Sequence, residues 1–269
     1  MPAPSDIWVL VLVFFSAIPI LETTRILQNT LHISNDDSPI YIWPLPKQFE
    51  HGNSTLSVDP NLSLHIKGLG ANSDILREAF ERYKGIIFGY RANGRKGSDG
   101  IRVSDEGEVY DVTGLNLVIA SGDETLQFGV DESYILYVGG EDEESIVGGV
   151  NIEANTVYGA LRGMETFSQL CRFNFMEKNI EIHKAPWYII DEPKFPFRGL
   201  LLDTSRHFLP VKVIKQVIDS MSYAKLNVLH WHIVDEESFP IEVPSYPHLW
   251  RGSYTKWEKF TVEDAYEIV

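Results

Sequence analysis

Residues 197–234 constrain the fold most, because two apolar runs flank a stretch with helical spacing. Phe197 to Asp203 (FRGLLLD) predicts a short strand buried on both faces. The stretch from Pro210 to Lys225 has the apolar spacing of an amphipathic helix, with a proline in its first turn. Asn227 to Val234 predicts a second buried strand. Two strands joined by a helix form a βαβ unit, so we expect them to run parallel.

Polar side chains follow both predicted strands. Asp203 and Arg206 come after the first apolar run, and Asp235 comes after the second. Parallel strands end at one edge, where α/β folds place their chemistry, and the donors of arginine suit hydroxyls or carboxylates. We therefore expect these three residues to meet at one rim, as part of a functional site or as an ion pair that fastens the strand ends. We expect Glu236 and Glu237 to form a solvated turn.

Two histidines lie within the second predicted strand. Side chains alternate along a strand, so His230 and His232 share one face. Such a pair can bind zinc, which would indicate a metal-dependent hydrolase. A third ligand is not evident, because the sequence contains neither a His-x-x-x-His motif nor a cysteine cluster. We therefore favour histidines that are hydrogen-bonded inside a packed layer, and we predict no metal.

The earlier part of the chain predicts strands packed with two helices, which is an α+β arrangement. Its predicted helices are 75–90, with Asp74 as N-cap, and 155–171, with Asn155 or Thr156 as N-cap. Its predicted strands are 115–120, 133–138 and 180–190, together with two short strands around an Asp-Pro-Asn turn in 56–66. We place the boundary between this domain (40–192) and the next (193–269) near two prolines, Pro193 and Pro196.

The charge of the chain limits its partners. Asp and Glu number 38 against 23 Lys and Arg, which gives a formal net charge of −15. A chain this acidic is repelled by phosphate backbones and anionic lipid, so we expect neither nucleic acid nor a membrane surface as a partner.

The N-terminal segment bears on the cellular destination of the protein. Ile7 to Phe15 is an unbroken apolar run, too short for a membrane-spanning helix of roughly 20 residues. It predicts a secretory signal peptide over residues 1–21, although no Lys or Arg precedes it; an uncleaved anchor or a buried helix is the alternative. We therefore expect no stable membrane span and a vacuolar, lysosomal or extracellular destination.

Two glycosylation sequons and one cysteine bear on the same question. The sequons begin at Asn53 (Asn-Ser-Thr) and at Asn61 (Asn-Leu-Ser), and they support the secretory route. Cys171 is the single cysteine, so it forms no disulfide within the chain. It is either an inert buried thiol or the partner of a cysteine that the printed sequence does not contain.

Longer motifs carry a resemblance to a known family. The segment FRGLLLDTSRHFLPVKVIKQVIDSMSYAKLNVLHWHIVDEESFPIEVPSYPHL resembles the start of the catalytic domain of family 20 glycoside hydrolases, the β-N-acetylhexosaminidases. That family carries R-G-x-x-x-D-x-S-R-H, then K-x-N-x-x-H-W-H, then D-x-x-S-F-P. YIWPLP, ESYILYV and TVYGALRGMETFSQL are similar to its N-terminal α+β domain. The resemblance runs from about residue 41 to the end and is strongest to eukaryotic lysosomal, vacuolar or secreted members.

The resemblance implies a fold and an activity. The fold would be an α+β N-terminal domain followed by the first βαβ portion of a (β/α)8 TIM barrel. The activity would be removal of terminal N-acetylglucosamine or N-acetylgalactosamine from glycans by a substrate-assisted, retaining mechanism that needs no cofactor. Arg206 would bind the hydroxyls of the sugar ring, and Asp235, Asp203 and His232 would support the site. Full-length members can be dimers.

The sequence also departs from the family pattern. The Gly-Gly-Asp-Glu motif that carries the acetamido-orienting Asp and the general acid is absent, and Gly139-Gly140-Glu141-Asp142 is only a near-anagram in the first domain. A (β/α)8 barrel takes about 200 to 250 residues, whereas Phe197 to Val269 is 73 residues. We therefore expect an incomplete barrel, with apolar strand faces exposed and no activity of its own. The alternative is a non-enzymatic product in which the α+β domain binds a partner or a glycan.

Overall fold

Six strands form a mixed sheet in the computed structural model, which describes residues 39–89, 109–139 and 149–269. The predicted signal peptide lies outside the described residues, as do Gly140, Glu141 and Asp142. The strands are β1 (Gln48–Gly68), β2 (Val112–Ile119), β3 (Tyr134–Val138), β4 (Gly149–Ala154), β5 (Cys171–Asn174) and β6 (Asn179–Asp191). Their order is β1-β2-β4-β3-β6-β5, and β1 also pairs with β6, so five of the strands pair in a closed circuit.

Strand β1 is continuous, so the prediction of two short strands around an Asp-Pro-Asn turn is wrong. Its pairing with β2 passes from Val58 directly to Ser63, which leaves a bulge. Proline cannot donate to a ladder and is tolerated at such irregularities, so Pro60 fits inside the bulge.

Two helices cover the sheet, as predicted. Helix α1 spans Asp74–Ile87, and its N-cap is Ser73, whose side chain accepts from the Leu76 amide; the prediction of Asp74 as N-cap is wrong by one residue. Helix α2 spans Val157–Leu170 and begins at Thr156, which caps the Gly159 amide. Their apolar faces pack on the sheet to form one core. Its fully buried large side chains include Leu76, Leu115, Leu117, Ile119, Leu136, Ile152, Met164, Phe167, Ile182 and Ile189.

The predicted βαβ unit is present. It consists of β7 (Gly199–Asp203), helix α3 (Val211–Tyr223) and β8 (Val228–His232), and the two strands are parallel. A short 3-10 helix (Leu249–Gly252) and helix α4 (Val262–Ile268) follow. The prediction that β7 is buried on both faces is wrong in the described structure. Leu200 is 38% and Leu201 57% exposed.

A buried carboxylate joins the βαβ unit to the six-stranded sheet. Glu132, 4% exposed, accepts from Arg162 Nε at 2.6 Å and from Arg198 Nη2 at 2.6 and 2.7 Å. Arg198 precedes β7 and pairs through its backbone amide with the side chain of Asn227, which precedes β8. Burial alone would raise the pKa of Glu132, but hydrogen bonds and charge from the two arginines lower it below its ordinary value. The N-terminal ends of both strands are thus fastened to one point.

A buried ammonium group forms a second junction. Lys225 Nζ lies 2.8 Å from Thr166 Oγ1 and 2.9 Å from both Tyr134 OH and Asp191 Oδ2. Burial lowers the pKa of Lys225, and the charge of Asp191 opposes that effect. The end of helix α3 is therefore held by three oxygen atoms from the α+β part.

Two further predictions concern single features. Cys171 is a free, partly buried thiol at the start of β5, and burial raises its pKa, as expected for an inert thiol. Among the described residues, none of the helices combines the length and apolar character needed to cross a membrane.

Candidate functional site

The ends of β7 and β8 lie side by side because the strands are parallel and in register. Asp203 pairs with His232 at the last position of the ladder. The Thr204 amide donates to the His232 carbonyl at 2.9 Å, and Trp231 Nε1 donates to Thr204 Oγ1 at 2.8 Å. Side chains that follow the two strands therefore start from a fixed common edge.

Arg206 is held between two carboxylates at this rim. Its Nε lies 3.4 Å from Asp203 Oδ2 and 3.3 Å from Asp235 Oδ2. The arginine side chain is 59% exposed, whereas the two acids are 23% and 16% exposed. Asp203 Oδ1 also accepts from the Arg206 amide at 3.1 Å. The two carboxylates thus fix the orientation of the guanidinium, while most of the arginine side chain remains open to solvent.

Asp235 accepts hydrogen bonds from several groups of the rim. Its Oδ1 accepts from Ser205 Oγ at 2.7 Å, from the Glu237 amide at 2.8 Å and from the Ser238 amide at 3.3 Å. Its Oδ2 lies 3.1 Å from His232 Nε2. The Ser205 hydrogen bond above all, together with His232 and the backbone amides, holds the pKa of Asp235 well below its ordinary value.

Three other acids lie at or near the rim: Asp203, Glu236 and Glu237. Backbone hydrogen bonds, first from Arg206, also lower the pKa of Asp203. Both rim carboxylates therefore stay ionised in mildly acidic solution and can orient a cation, but they hold no proton to donate. Glu236 and Glu237 are exposed, as expected for a solvated turn.

Two buried serines complete the rim, and the sequence analysis missed them. Ser205 and Ser238 are 1% and 4% exposed. Ser205 Oγ lies 3.0 Å from the Ser238 carbonyl, and Ser238 Oγ donates to the Ser205 carbonyl at 2.6 Å. Their place inside D-x-S-R-H and D-x-x-S-F-P was the available signal, because a serine within such a motif has a fixed position relative to the acid.

The rim also contains a group of possible metal ligands, which differs from the His230 and His232 pair that the sequence analysis considered and did not favour. Among the described residues, one ligand atom each of Asp203, His232 and Asp235 lies within 4.8 Å of the others, and His230 is not part of the group. His230 is exposed. Arg206 Nε already contacts both carboxylates, so a guanidinium stands where a metal cation would neutralise them. The geometry favours a site that orients an arginine.

A ring cluster supports the rim from beneath. Phe260 is fully buried, and its ring centroid lies 4.7 Å from that of Phe208 and 5.1 Å from that of Trp231. Phe208 follows Arg206 by two residues, and Trp231 belongs to β8. The loop that leaves the rim after Asp235 therefore returns to pack under it.

Comparisons with known proteins identify the family of this chain. Residues 195–269 match the family model described as "Glycosyl hydrolase family 20, catalytic domain", and residues 42–170 match "beta-acetyl hexosaminidase like". The chain belongs to glycosyl hydrolase family 20. The predicted resemblance is thereby confirmed.

Relatives within family 20 cover most of the chain. Beta-hexosaminidase 1 of Arabidopsis thaliana is 60% identical over 87% of this chain and 43% of its own length. The beta subunit of beta-hexosaminidase from Sus scrofa is 36% identical over 85% of this chain and 41% of its own length. A chitobiase structure from Flavobacterium johnsoniae has a TM-score of 0.65 at 28% identity, over 84% of this chain and 32% of that one. The chain thus spans less than half the length of these relatives.

Proposed function

We propose that this chain supplies the first part of the substrate site of a β-N-acetylhexosaminidase, an exo-hydrolase that removes terminal N-acetylhexosamine residues from glycans. The observation that carries the proposal is the clamped Arg206. Its Nε is held by Asp203 and Asp235, while most of its side chain faces solvent. A planar set of donors fixed at an open rim suits the hydroxyls of a pyranose ring.

The roles of the rim residues follow from their protonation. Arg206 would donate to ring hydroxyls, and Asp203, Asp235 and His232 would fix its orientation. The lowered pKa values of the two acids suit them to hold a cation rather than to protonate a leaving group. In the substrate-assisted mechanism of this family, an Asp-Glu pair in a Gly-Gly-Asp-Glu motif orients the acetamido group and supplies the proton. The printed residues contain no such motif, so we assign them binding and orientation.

The sequence features support a setting for this activity. The predicted signal peptide and the two sequons favour the secretory pathway, with the vacuole, the lysosome or the extracellular space as destination. The substrates would be glycans that end in N-acetylhexosamine. Assembly into a dimer, as in full-length members, is part of the same proposal.

A chimera tests whether these residues build a working site. Residues 41–269 would replace the matching part of Beta-hexosaminidase 1 from Arabidopsis thaliana, which is 60% identical to this chain over 233 residues. The chimera should hydrolyse a chromogenic β-N-acetylglucosaminide. Arg206→Ala should lower its kcat/KM roughly 100-fold, since hydrogen bonds from a charged donor contribute up to about 3 kcal/mol.

Arg251→Ala is the matched control, because Arg251 is an exposed arginine in the short 3-10 helix after the rim. It should leave kcat/KM within about twofold of the parent chimera. A folded chimera that shows no turnover would contradict the proposed function and favour the non-enzymatic alternative. Equal losses from both arginine substitutions would contradict the role given to Arg206.

A further inference from the structure

A second concave site lies on the α+β part, apart from the rim. It has a volume of about 240 Å³. Pockets for drug-sized ligands usually measure about 300–1,000 Å³, so this one suits a single small ring. Its lining includes Tyr41, Asn53, Thr55, Arg172, His183 and Trp187. Asn53 and Thr55 belong to the first glycosylation sequon.

The local backbone turns the sequon towards this cavity. The pairing of β1 with β6 is regular at His51 and resumes at Ser54, so Asn53 falls in an irregular step of the ladder. A Cβ at Gly52 would lie 2.5 Å from the Ala185 carbonyl, so a larger residue could not hold β1 this close to β6. Asn53 is exposed and lines the cavity at the same time.

The cavity walls combine apolar surface with donors, as a sugar ring requires. The Arg172 guanidinium carbon lies 4.7 Å from the centroid of the Tyr41 ring, which is itself 63% exposed. Thr55 Oγ1 lies 3.2 Å from His183 Nδ1. An aromatic face gives the C–H face of a pyranose a surface to pack on, and the Arg172 guanidinium gives its hydroxyls and acetamido oxygen hydrogen-bond donors.

We propose that this cavity receives the first N-acetylglucosamine of an N-linked glycan on Asn53. In the attachment step, the Asn53 amide nitrogen forms a bond to C1 of the sugar. The bond from C1 to the pyrophosphate of a lipid-linked oligosaccharide donor breaks, and the amide gives up a proton. Asn61, in the second sequon, does not line this cavity. The inference does not depend on the proposed activity.

The test uses the full chain, secreted from a eukaryotic host. Mass spectrometry should find Asn53 occupied. Digestion with an endoglycosidase that leaves one N-acetylglucosamine should keep the Tm unchanged, because only the first ring contacts the cavity. Asn53→Gln should lower the Tm by about 2–4 °C, the shift expected for one favourable contact in a domain of this size. The same chain from a bacterial host supplies a sugar-free form with Asn53 intact, in case the variant folds poorly.

A double-mutant cycle isolates the cavity contact. Tyr41→Ala should lower the Tm of the trimmed glycoprotein, and it should leave the Tm of the sugar-free chain nearly unchanged. Asn61→Gln is the matched control, and its effect should be independent of Tyr41. An unmodified Asn53 would overturn the proposal, and so would a Tyr41→Ala effect of equal size with and without the sugar.

Discussion

The Ser205 hydroxyl lies 2.7 Å from Asp235 Oδ1 and so connects the loop after β7 to the loop after β8. Asp235 in turn holds Arg206, so the serine controls the arginine through the acid. The orientation of the solvent-facing guanidinium thus depends on a buried hydroxyl that no substrate would touch.

Removing that hydroxyl should weaken both the fold and the site. Ser205→Ala removes the hydroxyl proton that bonds Asp235 Oδ1, and the loss of a hydrogen bond to a charged group costs about 1.5–3 kcal/mol. Ser238→Ala should destabilise the chain similarly but reduce the kcat/KM of the chimera less, because the Ser238 hydroxyl bonds the Ser205 carbonyl rather than Asp235. Urea unfolding and chimera kinetics measure the two effects. Ser220→Ala, at an exposed helical serine, should stay within about 0.5 kcal/mol, and equal kinetic losses at Ser205 and Ser238 would refute the ordering.

Glu132, the buried carboxylate that joins the βαβ unit to the six-stranded sheet, should contribute strongly to the stability of the fold at neutral pH. Glu132→Gln leaves two largely buried guanidinium groups without their counter-charge, and breaking such a pair costs about 3–5 kcal/mol. The pKa of Glu132 is lowered in the fold, so its contribution is complete above its ordinary value near 4.5 and is lost as pH falls through the lower folded value. Urea unfolding at neutral and acidic pH checks both statements.

The matched control for Glu132 is Glu192→Gln, since Glu192 forms an exposed ion pair with Lys47. That substitution should cost no more than about 1 kcal/mol. A Glu132→Gln effect as small as the control would show that the arginines find other partners.

Glu165 should make the chain less stable as pH rises. It is 2% exposed, and its Oε2 has no hydrogen-bond donor among the described residues. Burial raises its pKa, although Gln169, Tyr83, Lys225 and Arg82 oppose this. The folded state therefore holds the proton more tightly than the unfolded state, and stability falls as pH rises from the ordinary value near 4.5 through the raised folded value.

The variant Glu165→Gln has no proton to lose, so its free energy of unfolding should gain on that of the parent as pH rises. Urea unfolding between about pH 4 and pH 8 measures the difference. Glu78→Gln, at an exposed position of helix α1, should show no such trend. A difference between Glu165→Gln and the parent that stays constant with pH would contradict the assignment.

The ring cluster beneath the rim should carry much of the local stability. Phe260→Ala opens a cavity between Phe208 and Trp231 and should cost about 3–5 kcal/mol. Trp257→Ala changes a side chain that lies three residues before Phe260 and is 78% exposed, so it should change stability by less than about 0.5 kcal/mol. Denaturation midpoints separate the two; comparable losses would mean that the loop is held by its exposed residues.

The sequence predicted those helices and strands whose apolar pattern is visible within a few consecutive residues. β7, α3 and β8 were foreseen because apolar runs and helical spacing are visible within a few residues, and parallel pairing follows from their order. The meeting of Arg206 and Asp235 followed from strand direction. β4 was missed although Val150, Ile152 and Ala154 alternate with two polar residues, because the alternation covers only five residues beside a pair of glycines.

Long-range partners could not be inferred in the same way. Lys225 and Tyr134 are 91 positions apart, and Arg198 and Glu132 are 66 apart. Each looks like an ordinary surface charge or a core aromatic in the sequence, since nothing local records that the other will be its neighbour. The exposure of Leu201 has the same origin, because burial depends on which strands stand beside β7.

Lys225 also occupies the position just after helix α3 at which the backbone turns out of the helix. Its φ is +54°, a conformation that glycine adopts most easily, and the amides of Lys225 and Leu226 bond back to the Ser222 and Met221 carbonyls. A protein engineer guided by helix-end statistics would replace this lysine with glycine and expect added stability. We expect that change to loosen the attachment of the βαβ unit instead, since the ammonium group, rather than an unstrained backbone, is what the position requires.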